Sequence, residues 1–109
     1  MAFKRAVTPT FTAKVTVNVP NDSGGYDKNT FEAKFKRPMD LKEDAELRKL
    51  PNDEVVRRQM VDWKLTDDTT KEEVPFSQDE VEALLAIAPT PLATSLAFWE
   101  TLNGARAKN

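Results

Sequence analysis

The chain contains no cysteine and no histidine among its 109 residues. Without cysteine it can form no disulfide, no thiolate metal site and no thiol redox pair. Without histidine it lacks the side chain that most often serves as a general base near neutral pH and as a metal ligand. These absences exclude most hydrolase triads and zinc enzymes, so any chemistry would depend on Asp, Glu, Lys, Ser, Thr and the one Tyr.

Long apolar runs and the usual ligand-binding motifs are also missing. The apolar stretch at residues 83–88 is far shorter than the roughly 20 residues that a membrane span needs. The basic N-terminus is not followed by the apolar segment of a signal peptide. No dinucleotide, P-loop, nucleophile-elbow or zincin motif occurs, and the acidic segment around Asp67 and Glu72 lacks calcium-loop spacing. The sequence therefore predicts no enzyme, no cofactor, no metal and no membrane contact.

The size and the charge pattern describe one folded domain with two unlike regions. The chain is the length of a single domain, 1–109, and 39% hydrophobic residues indicate a folded core rather than disorder. The net charge of −2 conceals an uneven distribution. Residues 1–38 hold seven basic and three acidic side chains, whereas residues 39–82 hold seven basic and fourteen acidic ones. These regions are either two solvated faces or a bipolar surface that docks an oppositely charged protein or a second copy.

Two segments with period-two alternation predict a β-hairpin within residues 1–38. Apolar and polar residues alternate over residues 11–19 and again over residues 30–36. The turn formers between them predict a loop of about ten residues. The apolar face would carry Phe11, Val15, Val17, Phe31 and Phe35, and the polar face Lys14, Lys34 and Lys36. A lone hairpin is marginal in water, so its apolar face needs a cover.

Two helices are predicted to follow the hairpin. Asp40 and Glu43 have the spacing of a capping box, which predicts a charged surface helix over residues 40–50. A second helix begins at residue 52, where Val56, Met60 and Trp63 recur at helical spacing. Trp63 is interpreted as a core anchor. The polar segment of residues 64–74 predicts an exposed loop or a short hairpin.

Two further helices are predicted in the C-terminal part. Ser77 and Glu80 form a capping box, supported by a staple between Phe76 and Val81. The last helix takes Thr90 as N-cap, with Pro91 at the first helical position, and ends at Gly104 as C′. The prediction is an α+β fold. An N-terminal antiparallel hairpin packs against about four short helices in residues 39–104, and residues 105–109 fray.

The last predicted helix carries the candidate contact residues. It is apolar around much of its circumference, and two large aromatics stand side by side. Phe98 and Trp99 point about 100° apart on a helix, so either both lie in the core or one face contacts another protein. The candidates for protein contact are Leu96, Phe98, Trp99 and Leu102.

A nucleic-acid interface is a weaker alternative. Lys34 and Lys36 alternate with Phe31 and Phe35, a combination found in single-strand binders. Alternation, however, places the phenylalanines on the opposite face from these lysines. Base stacking and phosphate contact would then not converge, which disfavours this role.

The order of the segments resembles a known family. PTFTAKVTVNVP and TFEAKFKR precede a charged helix, the Val61-Asp-Trp63 segment and an acidic loop. Val-Pro-Phe-Ser at residues 74–77 then leads into a capped helix and a final helix with aromatics. This series resembles the small tail assembly chaperones of long-tailed bacteriophages and prophages, and the resemblance is strongest over residues 63–85.

The resemblance implies a non-enzymatic role in the cytoplasm of a host bacterium. Such chaperones keep the long tape-measure protein soluble and help recruit tail-tube subunits during virion morphogenesis. The alternative is a structural tail or neck component of the virion, which would form a homo-oligomer through the hairpin edge. A nucleic-acid-binding regulator is the third reading.

Overall fold

A long antiparallel hairpin organises the molecule. The computed structural model describes residues 2–105, so of the predicted frayed tail all but Ala105 lies outside the described residues. Strands β1 (Thr10–Pro20) and β2 (Tyr26–Lys36) pair over all eleven residues without a register shift. The two predicted strands are confirmed, and the apolar positions face inward while the lysines face outward.

The loop between the strands is shorter than the predicted ten residues. It spans residues 21–25, where the Asn21 side chain accepts hydrogen bonds from the backbone N–H of Ser23 and Gly25. Gly24 has φ +86°, a conformation that favours glycine. Strand β2 begins at Tyr26, four residues before the predicted start. Residues 26–30 are exposed on both faces, so they carry no alternation that the sequence could show.

A third strand replaces the end of the second predicted helix. Strand β3 (Met60–Lys64) pairs antiparallel with β2, which gives a sheet of order β1-β2-β3. The predicted helix through Trp63 is therefore wrong beyond Gln59. A β-bulge at Val61 shifts the register, so Met60 and Trp63 both face the core although they are three residues apart. The bulge reproduces the spacing of a helical stripe, which explains the error.

The helices occur where the sequence predicts them, with small shifts at their ends. Their bounds are α1 (Leu41–Arg48), α2 (Asn52–Gln59), α3 (Gln78–Leu85) and α4 (Thr90–Leu102). Asp40 and Ser77 accept hydrogen bonds from the backbone N–H of the residues three positions on, as predicted. Thr90, predicted as the N-cap, is instead the first residue of α4 and makes no side-chain cap bond, since Pro89 takes that place. The described residues form an α+β fold with four helices.

The core lies between one face of the sheet and helices α2 and α4. Phe98 packs against Phe35 and Phe11 of the sheet, with ring centroids 5.2 and 5.6 Å apart. Trp63 is buried, as predicted, and its Nε1 donates to the backbone oxygen of Val74 at 2.8 Å. Edge-to-face aromatic pairs of this kind add to the stability that burial supplies. The helices thus provide the cover that the hairpin requires.

An arginine joins α2 to α3 on the surface. The Nε and Nη2 atoms of Arg57 donate to the two carboxylate oxygens of Glu82 at 2.7 and 2.9 Å. Arg57 also pairs with Asp53 and Glu54 one turn earlier on α2. These bonds hold the pKa of Asp53 and of Glu82 below its ordinary value, with hydrogen bonds from Arg57 as the largest cause. The bidentate geometry fixes the relative position of the two helices.

Replacing this arginine should change how stability responds to acid. Because the folded-state pKa values of Asp53 and Glu82 are lowered, their stabilisation is complete above the unfolded values of 3.8 and 4.5 and is lost as the pH falls through the folded values. We expect Arg57→Gln to lower the melting temperature at pH 7. We also expect the melting temperature of this variant to fall less steeply than that of the wild type as the pH is lowered below 5. Arg58→Gln is the matched control. Equal acid profiles for the two variants would contradict this account; thermal unfolding across pH measures it.

Candidate protein-contact surface

The predicted contact residues on α4 separate into core and surface. Phe98 is fully buried, with 0% of its surface exposed, so the structure places it in the core. The prediction that Phe98 contacts a partner is therefore wrong. Its ring fills the space between Phe11 and Phe35 and offers no surface to a partner. Leu96 is 47% exposed on the opposite side of the same helix. Trp99 and Leu102 are half-buried on the flank between these extremes.

Two exposed leucines and the half-buried Trp99 form an apolar surface on α4. Leu92 and Leu96 stand one turn apart and are 54% and 47% exposed, and Trp99 follows on the same side of the helix. We call Leu92, Leu96 and Trp99 the α4 outer face. Leu92 is not among the predicted contact residues, although its i, i+4 spacing to Leu96 indicates that the two side chains share a face of the helix.

A cation covers part of this surface. The guanidinium carbon of Arg48 lies 4.3 Å from the centroid of the Trp99 ring, which is cation–π geometry. The Nε of Arg48 also donates to Asp44 one turn earlier on α1, at 2.6 Å. Helix α1 therefore positions a charge beside an apolar patch, the arrangement that surrounds contact residues in protein interfaces. Sequence reasoning missed Arg48, because its place over Trp99 depends on how α1 docks.

Leu102 belongs to a neighbouring depression. It lines a shallow groove together with Leu41 and Asp44 from the start of α1. Leu41 is 86% exposed, and Met39 just before it is 87% exposed. The apolar surface of α4 thus continues towards the N-terminus of α1. Little in the sequence indicates this continuation, since α1 is charged and carries no apolar stripe.

The uncovered face of the sheet is polar and basic. Even-numbered positions of β1 and β2 share this face with Asp62 and Lys64 of β3. Its charged residues are Lys14, Lys28, Lys34, Lys36, Lys64, Glu32 and Asp62. Phe31 and Phe35 are buried on the other face, which confirms the predicted separation of aromatic and basic residues. The one aromatic among the even-numbered strand residues is Tyr26, which is 68% exposed and lies at the first position of β2, away from Lys34 and Lys36.

The acidic loop forms a short hairpin, one of the two predicted forms. Thr66 and Glu73 form an isolated antiparallel bridge. The Asp67 carboxylate accepts hydrogen bonds from the backbone N–H of Thr70 and Thr69, and these bonds lower its pKa. Asp68 pairs with Lys71 at 3.2 Å. Across residues 2–105, no group of three or more carboxylates is placed to hold a metal ion.

Comparisons with protein-family models, with curated proteins and with solved structures gave no match for this chain. Within residues 2–105 no single helix is long and apolar enough to cross a membrane. Helices α3 and α4 together meet the length and composition test, but they are bent by 108° at the break between them. The geometry of the α4 outer face therefore carries the functional argument.

Truncation of two α4 residues should separate the core from the contact surface. We expect Phe98→Ala to cost about 3–5 kcal/mol of unfolding free energy, because it opens a cavity between Phe11 and Phe35. Leu96→Ala removes a side chain that is already half exposed and should cost less than about 1 kcal/mol. Urea unfolding of both variants measures the difference. Similar losses for the two would show that the assignment of faces on α4 is wrong.

Proposed function

We propose that this protein is a non-enzymatic tail assembly chaperone that binds the tape-measure protein of a long-tailed phage or prophage and helps recruit tail-tube subunits. The observation that carries the proposal is the α4 outer face. Leu92 and Leu96 expose apolar surface on a rigid helix rather than burying it in the domain. The resemblance of residues 63–85 to such chaperones supports the choice of partner. The host bacterial cytoplasm, where tails are assembled, is part of the same proposal.

The shape of this surface fits a helical partner. Leu92 and Leu96 lie on one i, i+4 row, and such rows form the ridges that pack into the grooves of a second helix. Trp99 adds an aromatic group of the kind that dominates binding energy in interfaces. A long helical protein that awaits its tube subunits needs its apolar stripe covered, and an apolar ridge on a small charged domain can do this.

Charge accompanies the apolar contact. Arg48 stands over Trp99 at the edge of the α4 outer face, with the acidic Asp44 beside it. A charged rim of this kind selects partners and speeds association more than it adds affinity. The binding energy would therefore come from the two leucines and Trp99, while the α1 charges orient the partner helix.

A charge placed on the α4 outer face should weaken partner binding. We expect Leu96→Asp to weaken co-purification with the tape-measure protein encoded in the same genome by about tenfold or more, because an interfacial hot spot contributes roughly 2 kcal/mol. Val61→Asp is the matched control, since Val61 is 41% exposed against 47% for Leu96 and lies on β3. The measurement is co-expression followed by pull-down and by the soluble fraction of the tape-measure protein.

Two results would overturn the proposal. The first is a wild-type chain that neither co-purifies with the tape-measure protein nor raises its solubility. The second is detection of the chain in purified particles by mass spectrometry, which would favour the structural virion component instead. A salt-sensitive gel shift would favour the nucleic-acid-binding regulator.

A further inference from the structure

A cleft of about 370 Å³ opens beside the hairpin where β3 ends. Strand β3 stops at Lys64, opposite Glu32, and residues 65–68 continue along the far wall of the cleft. The strand wall is formed by residues 28–31 of β2 together with Val17 and Val19 of β1. Leu65, Leu84 and Ile87 contribute apolar side chains, and Ile87 is 41% exposed. The cleft therefore includes the position beside β2 that β3 would occupy if it continued beyond Lys64.

The backbone of β2 faces this place with strand-pairing groups. At the two ends of the hairpin, Asn21 N–H donates to Gly25 and Arg37 N–H donates to Pro9. Because antiparallel bonding alternates, odd-numbered residues of β2 bond to β1 and even-numbered ones face the other side. The bond from Gln59 Nε2 to the Lys36 oxygen agrees with this parity. Lys28 and Thr30 thus direct N–H and C=O groups into the cleft, and no strand within residues 2–105 pairs with them there.

The segment before β1 has the chemistry to fill such a place. Residues 2–9 belong to no helix or strand, and we call them the N-terminal arm. Phe3 and Val7 are 87% and 63% exposed, and in an extended chain they lie on one face. Arg5 lies on this same face and Lys4 on the opposite one; both are basic, whereas Asp67 and Asp68 line the cleft. The arm therefore offers the cleft two apolar side chains and charge of the opposite sign.

The arm is too short to lie along residues 28–30 of its own chain. Pro9 is bonded to Arg37, just beyond the end of β2, at 2.9 Å. Thr30 lies seven residues from Arg37 along β2, which is about 24 Å at the rise of a strand. Val7 is only two residues from Pro9 and can extend about 7 Å from it. An arm lying across residues 28–30 must therefore come from another molecule.

We propose that residues 3–7 of one copy add as a strand to the Lys28–Thr30 edge of β2 in a second copy, with Phe3 and Val7 against the apolar wall. Backbone bonds to Lys28 and Thr30 supply affinity, as in other cases of strand addition. Reciprocal exchange of arms closes a two-fold dimer, while one-way insertion continues into longer chains. The contact uses neither Leu92 nor Leu96.

Self-association of the full chain tests this proposal. We expect sedimentation velocity to show a mass that rises with protein concentration. Phe3→Asp should move the midpoint about tenfold or more to higher concentration, since it removes a buried phenylalanine from the contact. Met39→Asp is the matched control, because Met39 is also 87% exposed, and it should leave the midpoint unchanged. Raised salt should weaken association by screening Lys4 and Arg5 from Asp67 and Asp68.

Hydrogen exchange locates the contact. At concentrations where the chain associates, the amides of Lys28 and Thr30 should gain protection, whereas those of Thr12 and Thr16 on the outer edge of β1 should not. A chain lacking residues 2–7 should stay monomeric, and the peptide AFKRAVTP added to it should restore protection at Lys28 and Thr30. The proposal is overturned by a full chain that stays monomeric, by association that Phe3→Asp does not change, or by protection at Thr12 and Thr16 instead. Each result is independent of tape-measure binding.

Discussion

The apolar face of the β1–β2 hairpin is the constraint on which the rest of the molecule depends. Apolar and polar residues alternate over residues 11–19 of β1 and residues 30–36 of β2, so the apolar face of these segments must leave water. Phe98 covers one part of this face, since its ring contacts both Phe11 and Phe35. Once Phe98 points at the sheet, the rotation of α4 is fixed. Leu92 and Leu96, which lie about 120° and 160° around the helix from Phe98, then face outward.

The parts of the fold that sequence reasoning predicted correctly are those with local causes. Alternation indicates a strand, and a capping box indicates a helix start, because both are interactions between residues near in sequence. Strand β3 was mistaken for helix because its identity depends on a distant partner. Met60 and Trp63 face the core together only because Val61 bulges against β2. That bulge satisfies the same three-residue spacing as a helical turn.

The candidate surface was predictable only in part, for a related reason. Periodicity shows which residues of α4 share a face, but the face that meets the sheet is decided by Phe11 and Phe35. Phe98 was therefore named as a contact residue together with Leu96, although the two point in different directions. The cover of Trp99 by Arg48 also depends on where α1 docks. Neighbours across the fold, and not spacing along the chain, divide core from surface here.

The basic and the acidic region of the sequence each supply one side of the proposed contact between the arm and the cleft. Lys4 and Arg5 belong to the basic head, and Asp67 and Asp68 to the acidic middle. Within one molecule Pro9 anchors the arm at the end of the hairpin remote from residues 28–30, so the arm cannot lie along that edge of its own chain. The proposed exchange of arms between copies would bring these charges together and would leave Leu92 and Leu96 uncovered. A bipolar chain can in this way associate with itself while it presents an apolar ridge to a different partner.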